Sequence, residues 1–194
     1  METTVGRRER KKAATRQALH EAALRLAVEH GPDQVTVEAI ADAADVSRRT
    51  FSNYFANKEE ALFYVDLLRI RRLVELVHDQ PADVPPWVAL TRATEQLVRE
   101  TGDVDPLWVA QRRLVRSHPS LAAHQIAVYG TIERELTTEI SGRLPQHPDT
   151  PLHAQVLAAT LLSAVRAAIQ HWVDHPERPL TDLVRTALDY ATTH

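Results

Sequence analysis

Apolar residues recur along this chain at spacings of three and four, and no stretch alternates apolar and polar positions as a half-buried strand does. Glycines and prolines cut the pattern into segments, and the reading is all-α. About nine helices are predicted, over about 8–30, 37–44, 48–54, 58–78, 86–100, 105–117, 119–142, 150–175 and 180–191. In the first, Leu19, Ala22, Ala23, Leu26 and Ala27 share a face that needs a partner, and Gly31-Pro32 stops the helix. Thr36, Ser47 and Asn57 are good N-caps, the last with Glu60 three residues on.

The segment over 150–175 differs from the rest. Val156, Leu157, Leu161, Leu162, Val165, Ile169 and Trp172, with intervening alanines, leave Arg166 as its one fully charged residue between 154 and 173. A helix apolar all round is expected to be buried all round. In a chain this short, that places one face on the core and another on a twin subunit. Leu183, Val184, Ala187 and Leu188 of the last helix join the same interface, so the expectation is a homodimer through 150–175 and 180–191.

With 194 residues, 44% hydrophobic and 25% charged, the chain has the balance of an ordinary globular protein of one or two domains. The absence of cysteine excludes disulfides, thiol nucleophiles and cysteine-ligated zinc. No uninterrupted apolar run reaches membrane-spanning length, and residues 1–16 lack the apolar stretch of a signal peptide, so a cytoplasmic protein with no membrane contact is expected. The formal net charge is only -3, yet between Gly6 and Arg16 six cations (Arg7, Arg8, Arg10, Lys11, Lys12, Arg16) face the single acid Glu9. Arg48, Arg49 and Lys58 form a second basic cluster.

That second cluster lies in residues 36–54, where two short, separately capped segments are joined only by Asp45 and Val46. This is the pattern of a helix-turn-helix. Ile40, Ala41, Val46, Phe51 and Phe55 fall on one side and can pack against the Leu19–Leu26 face. Arg48, Arg49, Ser52 and Asn53 are left on the other, as residues able to hydrogen-bond base edges and phosphates from a major groove. From Arg16 to Leu62, and most specifically in the run VSRRTFSNYFANKEEAL from Val46, the chain resembles the DNA-binding domain of the TetR family.

The resemblance implies an N-terminal three-helix helix-turn-helix domain over 1–60 and a helical ligand-binding and dimerisation domain over 61–194. It also implies a ligand-responsive repressor that acts as a dimer on an inverted-repeat operator of double-stranded DNA and is released by a small-molecule inducer. Position by position, it implies phosphate contacts from Thr36 and Lys58, a cap that also touches DNA at Ser47, base reading by Arg48, Arg49 and Ser52, and backbone or base contacts from Asn53 and Tyr54. The basic stretch from Arg7 to Lys12 would add phosphate or minor-groove contacts, as extended arms do. In the turn the family has glycine where this chain has Asp45, a residue that tolerates the left-handed conformation better than most.

For the inducer, Leu67, Trp87, Leu90, Trp108 and Tyr129 with the polar Arg112, Arg113, Arg116 and Glu133 offer an apolar site with a few polar groups. The segment from Arg112 to His124 resembles the C-terminal domain of TetR-type regulators of acyl-coenzyme-A-like ligands. His171 and His175 stand four apart, but with no HExxH pattern and with Pro176 following they read as helix-end residues, and no metal or cofactor is expected. No nucleophile elbow or phosphate-binding glycine loop is present, and no enzymatic activity is expected. Three alternatives stay open: an activator built from the same parts, a helical ligand carrier or sensor that does not bind DNA, and a helical enzyme that would turn over its bound ligand.

Overall fold

The computed structural model describes residues 4–102 and 105–192. Among these there are ten α-helices and no strand: α1 (Thr4–His30), α2 (Val37–Ala43), α3 (Arg48–Ser52), α4 (Lys58–Leu62), α5 (Tyr64–His78), α6 (Pro86–Thr101), α7 (Pro106–Ser117), α8 (Pro119–Ser141), α9 (Thr150–Asp174) and α10 (Leu180–Tyr190). One helix more than expected arises because the segment after Asn57 breaks at Phe63. There φ -98° and ψ 9° leave the helical range. The ring of Phe63 is buried and stacks on His124 at 5.3 Å, so a core position interrupts the helix where the apolar pattern runs on. At the other end, α1 begins earlier than expected and is helical from Thr4, through the basic stretch.

The chain forms two compact units, one from residues up to 67 together with 106–124, the other from 68–105 together with the residues after 124. In the first unit, Leu19, Ala22, Ala23 and Ala27 of α1 pack on Ile40, Ala41, Phe51, Phe55, Leu62 and Phe63. Val115 of α7 and Leu121 at the start of α8 close the same core. The units therefore do not follow a boundary at residue 60: α7 folds with the helix-turn-helix. Gln111 Nε2 of α7 donates to the Leu62 carbonyl at the end of α4 (2.6 Å). Trp108 Nε1 donates to Asp66 of α5 (3.1 Å), and the Arg112 guanidinium makes an ion pair with the same carboxylate.

In the second unit, Leu73, Leu76 and Val77 of α5 meet Leu90 and Ala93 of α6, Ile132, Leu136 and Ile140 of α8, Ala154, Ala158 and Leu161 of α9, and Leu183, Val184 and Leu188 of α10. Arg143 donates to the carbonyls of Val77, His78, Gln80 and Pro81 at 2.6–3.0 Å, gathering the end of α5 and the turn that follows it. Arg72 grips Glu100 of α6 with two hydrogen bonds (2.9 and 3.0 Å). Hydrogen bonds from Arg72 and then Gln96 hold the Glu100 carboxyl down to about 2.

Within the single chain α9 is covered on one face only. It buries Ala154, Ala158, Leu161, Ala168 and Val173, while Leu152 and Val156 are 63% and 51% exposed. By length and composition α9 could even cross a membrane, and only 22% of its most apolar window is buried. Helices α10 and α6 cover one side of it, and the exposed side carries Leu152 and Val156 beside the polar Gln155, Ser163, Arg166 and Gln170.

Candidate nucleic-acid interface

The helix-turn-helix is built from local hydrogen bonds. Thr36 Oγ1 accepts from the Ala39 amide (3.1 Å), Ser47 Oγ accepts from the Thr50 amide (3.0 Å), and Asn57 Oδ1 accepts from the Glu60 amide (2.8 Å), so α2, α3 and α4 each start on a side-chain cap. Between α2 and α3 the Val46 amide donates to the Ala41 carbonyl (2.9 Å) and the Asp45 amide to the Asp42 carbonyl (3.1 Å). This is a Schellman closure, whose left-handed position falls on Asp45 at φ 52°. Val46 then drops onto the core, which sets the angle at which α3 leaves.

Asp45→Gly is expected to raise stability by about 0.5–1 kcal/mol, because glycine adopts this conformation without steric cost. A denaturation midpoint that falls on this substitution would show that the Asp45 side chain contributes something the hydrogen bonds do not reveal.

On α3, Phe51 is buried and Arg48, Arg49, Ser52 and Asn53 are exposed. Arg48 makes an ion pair with Glu38 of α2 (2.8 Å), and both side chains remain more than half exposed, so the pair exchanges readily for a phosphate or a base edge. Tyr54 is half-buried against the core, and the Arg16 guanidinium lies over its ring at 5.6 Å.

Lys58 has a structural use that its sequence position did not reveal. Its Nζ donates to the carbonyls of Pro32 (2.8 Å) and Val35 (3.0 Å), fastening the loop that delivers Thr36 and leaving one N–H for a further acceptor. His20, also unforeseen, is buried on α1 and donates from Nδ1 to the Ala61 carbonyl (2.8 Å), joining α1 to α4.

The residues expected around an inducer divide between the units. Leu67, Trp108, Arg112 and Arg113 belong to the first, and Trp87, Leu90, Tyr129 and Glu133 to the second. Leu90 is fully buried in the core, Trp87 and Tyr129 pack partly buried against it, and Glu133 accepts from Gln155 (3.4 Å). Arg113 and Arg116 are exposed. Arg112 is committed to Asp66 and sits 5.1 Å from the Trp108 ring centre, with its Nε buried and unpartnered. The His171 and His175 rings lie 4.8 Å apart at the end of α9, and no group of three or more metal-ligating residues forms among the described residues.

A capped helical hairpin that holds an arginine-bearing helix outward, on a chain with a second all-helical unit, defines a helix-turn-helix regulator. Residues 19–65 match the family model of bacterial regulatory proteins of the tetR family, and residues 84–194 match that of the MftR C-terminal domain. The chain belongs to the TetR family of transcriptional regulators. It is 29% identical over 173 residues to the HTH-type transcriptional regulator TcmR of Streptomyces glaucescens, covering 86% of this chain and 76% of that one. It is 26% identical over 190 residues to a Mycobacterium tuberculosis protein assigned as the mycofactocin biosynthesis transcriptional regulator MftR, covering 97% and 93%. Among solved structures, Thermus thermophilus FadR in complex with lauroyl-CoA superposes with a TM-score of 0.58 at 24% identity, over 91% of this chain and 92% of that one. The SmeT–triclosan complex does so with 0.60 at 22% identity, over 92% and 90%. At these identities the structural likeness establishes the fold.

Proposed function

We propose that this chain is a sequence-specific repressor that binds an inverted-repeat operator as a dimer and is released by a small molecule. The observation that carries the reading is the outward face of α3, where Arg48, Arg49, Ser52 and Asn53 stand exposed on a hairpin whose opposite face is core. Two such helices, one per subunit, would enter successive major grooves about 34 Å apart. The exposed Leu152 and Val156 on the uncovered side of α9 support pairing with a second copy through α9 and α10. For the inducer we favour a largely apolar molecule. The lauroyl-CoA and triclosan complexes of the two structural relatives support that class. Whatever its identity, the ligand switches the protein only through a difference in affinity between the DNA-competent and released states.

The test is selection of genomic fragments by the purified protein, followed by titration of the recovered sequence at several salt concentrations. An enriched inverted repeat, bound far more tightly than random duplex and with affinity falling steeply with salt, is the expected result. A dimer that enriches no sequence with or without candidate ligands would overturn the repressor reading in favour of a carrier.

A further inference from the structure

The basic stretch at the start of α1 is helical, and that decides what it can touch. The face of α1 that carries Leu19, Ala23 and Leu26 into the core continues toward the N-terminus, at steps of three and four, as Arg16, Lys12 and Arg8. Beyond Thr15 this stripe leaves the core, and all three cations are exposed. Its direction is set by Arg16, which lies over the ring of Tyr54, just past the end of α3. The core-facing stripe of α1 thus becomes a line of cations that starts beside the DNA-reading segment. Successive charges are about 6 Å apart along the helix. Only Glu9 interrupts it, pairing with Lys12 at 2.9 Å between two largely exposed side chains, a pair of the kind that contributes little and yields to a stronger anion. The stretch holds six cations against one acid in a chain whose net charge is -3, so the partner it fits is a polyanion.

An α-helix with its side chains is about 10–12 Å across, whereas the minor groove is about 6 Å wide. A helical extension cannot enter that groove as an extended arm does, which revises the minor-groove contact expected from the sequence. Resting on the reading of α3 as the DNA-reading helix, we propose that Arg8, Lys12 and Arg16 form a rigid rail that tracks the phosphate backbone flanking each half-site. Because phosphates carry no base identity, the rail adds affinity and salt dependence without adding sequence preference.

The experiment compares the full chain with Arg8→Ala/Lys12→Ala, and with Arg16→Ala added, by titrating both a selected operator and a random duplex over a range of salt. The expected result is a fall in the slope of log K against log salt of about 0.9 per lost phosphate contact, close to 4 for the double variant, which loses two contacts in each of the two subunits. The loss should be equal on operator and random duplex, with an unchanged enriched sequence. An unchanged slope on both duplexes would show a merely solvated helix, and a changed preference at flanking A·T positions would show minor-groove reading. Either outcome overturns the rail. Should wild type enrich no operator, the repressor reading fails by itself, and the slopes on random duplex still decide the rail. Arg16→Ala carries a melting-temperature control, since its guanidinium also packs on Tyr54.

Discussion

Arg112→Ala is expected to cost about 3–5 kcal/mol of stability, the range found when one member of a buried ion pair is removed. The side chains of Arg112 and Asp66 are 9% and 11% exposed, so water cannot replace the lost partner of the Asp66 carboxylate. The loss extends beyond one pair. Gln111 Oε1 accepts from Arg112 (2.9 Å) while Gln111 Nε2 holds the Leu62 carbonyl, so the arginine orients the amide that ties α7 to α4. Replacing both charges by apolar residues of similar size, as in Arg112→Met with Asp66→Leu, is expected to recover part of the loss, because no unpaired charge is then left behind while the buried Trp108 Nε1 loses Asp66 as an acceptor. Arg112→Lys should fall between, since a lysine lacks the planar fork and cannot hold Asp66 and Gln111 together. Chemical denaturation of the three variants checks the series. A loss below about 1 kcal/mol for the alanine variant would mean that the unit opens enough to solvate Asp66.

Arg48→Ala with Arg49→Ala is expected to remove specific DNA binding while leaving the fold intact. A good two-point contact to a base is worth about 1–3 kcal/mol of discrimination, so the two together correspond to roughly 30-fold to more than 10,000-fold per half-site between operator and random sequence. Both residues are exposed, and the Arg48–Glu38 pair lies on the surface, where such pairs contribute about 1 kcal/mol at most. Thermal unfolding should therefore shift little, and binding of any inducer should be unaffected. Measuring the operator-to-random ratio before and after substitution gives the answer. A ratio left near its wild-type value would place sequence reading somewhere other than α3.

These two arginine sites show what kind of information lies close at hand in a sequence. The caps at Thr36, Ser47 and Asn57 were readable because each accepts from an amide three residues on, and Asp45 was readable as the left-handed turn residue because that conformation is decided within one peptide unit. The core of the helix-turn-helix was readable from its 3.6-residue period, and with it the exposure of the α3 polar face. Lys58 was visible as a cation but not as the fastener of the loop 26 and 23 residues before it. The break at Phe63 was hidden because its apolar side chain continues the helical pattern and only the packing partner His124 distinguishes it.

What the sequence by itself determined is therefore local: where helices start and stop, which face of each is apolar, which residues the hairpin turns outward, and that the N-terminal stretch is basic. Hydrogen bonds within one turn and the periodicity of a helix depend on near neighbours alone. What only the tertiary structure decided is which distant groups share a charge or a core. Arg112, a ligand arginine by pattern, is held by Asp66 from 46 residues away, α7 folds with the helix-turn-helix, and α9 leaves Leu152 and Val156 exposed within its own chain. Those outcomes rest on burial and on pairing across long loops, and the free energy of burying a charge or an apolar face is set by neighbours that the order of residues does not place side by side.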